Sequence, residues 1–165
     1  MKKFCLTITI PVFLLICLDG LQAQTTQTKL NQVELIKQLE GSWTGEIGKD
    51  TIDNWNFKPV GTGKDCDWWN VTKGKTILEG KQLWGYVKGI DKYIVAAINE
   101  KPDVEINAVW FVSKYKYVSI PFSDISNPEK ASFKVEGNIK SPDIITETTI
   151  VNDKPVVTYT WTRVK

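Results

Sequence analysis

The sequence predicts an all-β chain: an antiparallel up-and-down β-barrel of about eight to ten strands with a short N-terminal helix. Three observations predict it. Gly41-Ser42-Trp43 enters the first strand-like run, and Arg163, the only arginine, lies in the last one, Val156 to Lys165. In a sheet that closes on itself the first and last strands are neighbours. The Arg163 guanidinium can then stack on the Trp43 indole while its donors reach carbonyls at the barrel floor. The third observation is punctuation. Turn signals fall at Gly48-Lys49-Asp50, Gly61-Thr62-Gly63, Lys73-Gly74-Lys75 and Gly89-Ile90-Asp91, then at Lys101-Pro102-Asp103, Asn127-Pro128, Ser141-Pro142-Asp143 and Asn152 to Pro155. A spacing of roughly 10 to 14 residues suits a meander of long strands. No helix-length segment separates them, so parallel crossovers are excluded.

Residues 1–23 read as a secretory signal. Lys2 and Lys3 give a positive start, Phe4 to Leu18 is apolar but short for a membrane span, and Leu21-Gln22-Ala23 precedes a cleavage point. The expected destination is secreted or periplasmic, with no transmembrane segment after cleavage. Residues 24–165 then form one domain, long enough for its own core. Leu30, Val33, Ile36 and Leu39 recur at helical spacing. Thr28 or Asn31 is placed to cap the start and Gly41 to end the helix, whose apolar face would cover one end of the barrel. The clearest strand is Lys130 to Lys140, with Ala131, Phe133, Val135, Gly137 and Ile139 on its buried face. The segments around Trp55, Trp68, Trp84 and Trp110 alternate less cleanly, as expected where one face lines a cavity.

Composition removes several functions. The chain has no histidine, which excludes Ser-His-Asp and Cys-His catalysis, His-ligated haem and most zinc-enzyme sites. No cofactor and no metal is expected. The formal charge is +2, and loss of Lys2, Lys3 and Asp19 with the leader lowers it by one, so nucleic acid is not an expected partner. Cys5 and Cys17 also leave with the leader. Cys66 remains alone, read as a buried small hydrophobe, and stability must come from the core without a disulfide. The acids of Asp65-Cys66-Asp67 would suppress its thiolate.

The seven tryptophans are all in residues 24–165. Trp55, Phe57, Trp84, Tyr86, Tyr93, Trp110 and Tyr159 are the expected wall of a ligand cavity, because aromatics give a concave apolar site a rigid lining. Asn54, Asn56, Gln82, Asn99 and Asn107 are the candidates to orient a ligand. Trp68 and Trp69 are adjacent, so one of the two must point away from the interior. No catalytic constellation is legible, and the chain reads as a binding protein rather than an enzyme. Glu79, Tyr86 and Tyr93 are candidates for catalysis without a cofactor, and Asp65 and Asp67 for a carboxylate pair, but nothing in their spacing singles any of them out.

Gly41-Ser42-Trp43 after a short helix, the strand meander and Thr162-Arg163-Val164 together resemble the calycin superfamily, and within it small secreted lipocalin-like proteins of bacteria. The resemblance implies that Gly41, Trp43 and Arg163 are structural, clasping the barrel where it closes. Fatty-acid-binding proteins hold a carboxylate with a C-terminal Arg-x-Tyr, whereas this chain reads Arg163-Val164-Lys165. The expected function is therefore binding of a small lipophilic or amphipathic molecule in an aromatic-lined cavity. The alternative is a packed barrel that binds a protein partner through its outer face or the segment Ser119 to Lys130.

Overall fold

A computed structural model describes residues 29–100 and 102–165, so the leader assigned to residues 1–23 lies outside the described residues. The first element, α1 (Gln32–Leu35), continues as a 3-10 turn over Ile36–Leu39. The Asn31 side chain accepts from the Glu34 amide at 3.2 Å, the expected cap. Ten strands follow: β1 (Gly41–Gly48), β2 (Thr51–Val60), β3 (Gly63–Thr72), β4 (Lys75–Val87) and β5 (Lys92–Asn99), then β6 (Glu105–Ser113), β7 (Lys116–Pro121), β8 (Phe133–Ser141), β9 (Ile144–Val151) and β10 (Lys154–Arg163). Each pairs antiparallel with its neighbours in sequence, and β10 returns to β1 to close the barrel.

The turns follow their residue chemistry. Lys73-Gly74 and Asn152-Asp153 take positive φ at both central positions, the geometry that matches the twist of a tight hairpin. The β6–β7 hairpin turns at Lys114-Tyr115 without glycine, proline, asparagine or aspartate, so no turn signal marks it. The expected strand over 130–140 begins later. Pro128–Lys130 is a 3-10 turn and β8 starts at Phe133, which is exposed. Val135, Gly137 and Ile139 do share the inward face, but Ala131 packs elsewhere.

Inward residues build one core. Trp43, Phe57, Tyr93, Phe111, Ile145 and Trp161 pack there with Ile36 and Leu39 of the helical segment. The segment caps one end of the barrel, which we call the floor. Gln32 anchors it, because its amide donates to the Phe111 carbonyl at 3.0 Å and accepts from the Phe111 amide at 2.7 Å. A second, smaller cluster lies outside the sheet. Ala108, Ile120 and Ala131 are buried there beside Trp110, Val118 and Ile125, beneath the segment between β7 and β8. The stretch Ser119 to Lys130, expected as a contact loop, thus packs in part on the barrel's own outer face.

The seam is the shortest ladder: β1 and β10 pair only at Trp43↔Arg163 and Thr44↔Thr162. Side chains reinforce it. The Arg163 guanidinium carbon lies 4.1 Å from the Trp43 ring centre. Its Nε donates to the Pro142 carbonyl at 2.8 Å and its Nη2 to the Gln38 carbonyl at 3.0 Å, while Nη1 donates to the Glu40 carbonyl. The Trp43 indole N–H in turn donates to the Leu39 carbonyl at 2.8 Å. One guanidinium thus ties the helical turn, the β8–β9 turn and the last strand together; the expectation from the two end motifs covered the stacking and the floor carbonyls but not the β8–β9 turn. Gly41 permits it twice over. Its φ is +102°, and a Cβ there would sit 2.7 Å from Arg163 Nη1.

Arg163→Ala removes three charge-assisted hydrogen bonds and the stacking contact, and should lower unfolding free energy by about 2–4 kcal/mol. Arg163→Lys should recover less than half of it, because an ammonium lacks the planar fork. A chemical denaturation curve for each variant checks this, and equal stability of Arg163→Ala and the parent would refute the clasp.

Candidate functional site

Above the floor the barrel holds a cavity of about 160 Å³. Its aromatic wall is Trp55, Phe57, Trp84 and Tyr117, and Leu39 of the helical turn closes it from below. Gln82, Asn107, Ser119 and Glu147 supply polar groups. The polar residues are placed by strand period. Gln82, Asn107 and Ser119 each stand one inward position from Trp84, Val109 and Tyr117, on the side away from the floor. The cavity is therefore apolar below and polar above.

Three of the seven residues expected to line a cavity do so: Trp55, Phe57 and Trp84. Phe57 meets both tryptophans edge-on, at 6.0 Å and 5.4 Å between ring centres. Tyr86 and Tyr93 face inward but lie one inward position from Trp84 and Val95 towards the floor, paired at 5.5 Å; Tyr93 donates to the Thr62 carbonyl at 2.7 Å and Tyr86 to Asp91 at 2.5 Å. Tyr159 also faces inward, against Trp161. Trp110 lies outside, because Val109 and Phe111 take the inward phase of β6. Its ring carries the Lys92 ammonium at 4.1 Å. Of the asparagines and glutamine, Gln82 and Asn107 reach the cavity, while Asn54 and Asn56 are out of phase with Trp55 and Phe57. Trp68 points in and Trp69 out. The three residues considered for catalysis do not converge, since Glu79 shares the outward phase of β4 with Lys81. Cys66 is buried, and burial pushes its thiol up to about 12. Asp65 and Asp67 face out and share Lys81 at 2.9 Å each.

The chemistry that the sequence did not single out lies with two inward carboxylates. Glu147 of β9 accepts from the Tyr117 hydroxyl at 2.5 Å and from the Trp161 indole N–H at 3.1 Å. Asp53 of β2 accepts from the Trp55 indole N–H at 2.8 Å, and its Oδ1 is buried without a partner. The two indoles stack at 3.9 Å between ring centres, so one stacked pair carries a carboxylate on each N–H. Burial raises the Asp53 carboxyl to about 6, against the opposing Trp55 hydrogen bond. Burial likewise raises Glu147 to about 7, with a smaller contribution from the Asp53 charge. Glu147 is partly accessible, and water reaching it moderates that shift. Tyr117 is held well above the usual phenol range by burial first and by Glu147 second.

Phase was the available signal. Asp53 is in step with Trp55 and Phe57, Glu147 with Ile145, and Lys64 with Cys66 and Trp68. Lys64 is buried and forms its ion pair with Glu40 at 2.6 Å. Among the described residues no group of three or more His, Cys, Asp or Glu is placed to hold a metal ion. The fold is thus a closed ten-stranded antiparallel barrel with an interior cavity, consistent with a calycin- or lipocalin-like architecture. Neither a protein-family model nor a curated protein matches the chain.

Two outcomes follow from this geometry. Glu147 and Asp53 bind protons more tightly in the folded chain than in the unfolded one. The resulting stability is complete below about pH 4, is lost as the pH climbs to about 7, and changes little beyond. Glu147→Gln should flatten much of this slope and raise stability near pH 8 by about 1–3 kcal/mol, read from thermal melts across pH. Gly137 faces Tyr117, and a Cβ there would sit 2.0 Å from the ring. Gly137→Ala should displace Tyr117 from Glu147 and cost about 1–3 kcal/mol in a denaturant titration.

Proposed function

We propose that this protein is a secreted or periplasmic lipocalin-like carrier that binds one small amphipathic molecule in the barrel cavity. The observation that carries the reading is the cavity itself, aromatic and aliphatic towards the floor and polar above. Its volume bounds the ligand. An apolar cavity of roughly 150 Å³ accommodates a benzene ring, whereas drug-sized ligands occupy about 300–1,000 Å³. A single ring with a short polar arm fits this bound, and a long acyl chain does not. The reading is of binding rather than catalysis, because both Glu147 oxygens already accept hydrogen bonds from protein donors that hold the carboxylate in place. The runner-up, a solidly packed barrel serving a protein partner, is less well supported by an interior with this much space.

Intrinsic tryptophan emission tests the proposal, since Trp55 and Trp84 line the site. Benzyl alcohol should change the emission saturably and be recovered chemically unchanged, while a sixteen-carbon fatty acid should leave it unaltered. Emission indifferent to benzyl alcohol, to benzylamine and to fatty acid alike would rule the carrier reading out.

A further inference from the structure

The interior carboxylates lack a cation. Among the described residues, neither Asp53 nor Glu147 forms an ion pair with a lysine or arginine. The one buried lysine of the inward face, Lys64, is engaged by Glu40. Arg163 is spent on backbone carbonyls beneath the floor. The donors that do reach the two acids are neutral: a phenol, two indoles and the Asn54 backbone amide. Each neutral donor leaves the carboxylate its charge. A buried charge with no countercharge is costly, and a bound cation removes that cost.

The cavity walls suit the same cation. Trp55, Trp84, Phe57 and Tyr117 present ring faces or edges to the space that Glu147 borders. Aromatic faces attract an ammonium most strongly where water is excluded. A carboxylate opposite such faces selects against an anion and gives a neutral polar group only a hydrogen bond.

Resting on the carrier reading above, we infer that the ligand is a cationic amphiphile: a one-ring primary amine whose ammonium pairs with Glu147 and whose ring lies towards Phe57 and Leu39. The groups facing Glu147 are consistent with this role. Tyr117 of β7 and Tyr159 of β10 are phenols, Asp53 of β2 is a second acid, and β8 presents the uncharged Val135, Gly137 and Ile139 on its inward face. None brings positive charge. Asp53 does not line the cavity, but its charge adds to the negative field at Glu147.

Benzylamine and benzyl alcohol, matched in ring and length, separate this inference from the carrier reading. At about pH 8 the parent protein should bind the amine at least tenfold tighter, a difference of about 1.4 kcal/mol. Amine affinity should fall roughly tenfold or more towards pH 5.5 as Glu147 takes up its proton, while alcohol affinity stays flat. Glu147→Gln should abolish the amine preference, whatever it does to the affinity for the alcohol. If the alcohol binds as tightly as the amine in the parent at pH 8, the amine inference fails and the carrier reading stands. If neither binds, both fail. The pH arm uses the parent protein alone, so the outcome does not depend on how well the variant folds.

Discussion

Closure of the sheet at the Trp43–Arg163 contact is the constraint on which this structure depends. A ten-stranded sheet with open edges would expose two rows of unpaired amides and carbonyls and leave the inward aromatics wet on one side. Here the ladder that removes those edges is only two residues long, so backbone pairing alone makes a weak joint. The guanidinium supplies what the ladder lacks: it is flat enough to lie on an indole and forked enough to reach three carbonyls on two other segments. The helical turn is held by the same contact, through Gln38 and Glu40. Leu39 is thereby fixed as the lower wall of the cavity.

From that joint the site follows by strand period. Tyr159, Trp161 and Arg163 alternate on the inward side of β10, so the residue that closes the barrel and the residue that donates to Glu147 are two positions apart. A one-residue slip of β10 would undo both. On β1, Gly45 clears the space that Trp161 fills, since a Cβ there would lie 2.5 Å from the indole. Gly137 does the same for Tyr117 on the far side. Two glycines therefore decide where the two donors to Glu147 can stand.

The architecture was legible because it depends on features local in sequence or chemically rare. A hairpin announces itself by its turn residues, and a lone arginine has few places to go. The hairpin at Lys114-Tyr115 was not legible for the converse reason: its turn uses residues common in strands. The site was legible in part. Trp55, Phe57 and Trp84 were found by residue type. Trp110 was drawn in by type and put out by phase, since Val109 and Phe111 occupy the inward positions of β6. Glu147 and Asp53 were missed because charge in a strand ordinarily marks the wet face. Only their step with Ile145 and Trp55 showed otherwise, and phase cannot be read from sequence until the inward side of each strand is known.

The seam also separates two kinds of pairing in time. Nine of the ten ladders join strands adjacent in sequence, and such hairpins form after closing short loops. The tenth must bring together groups as far apart as Gln38 and Arg163, 125 positions, against the chain entropy of that whole span. Until it does, the meander is a curled ribbon with two live edges, β1 and β10, each able to pair with another copy as readily as with the other. The single arginine thus has a kinetic consequence as well as a structural one. It stabilises only the register that lays Arg163 on Trp43, and so disfavours edge pairings in any other register.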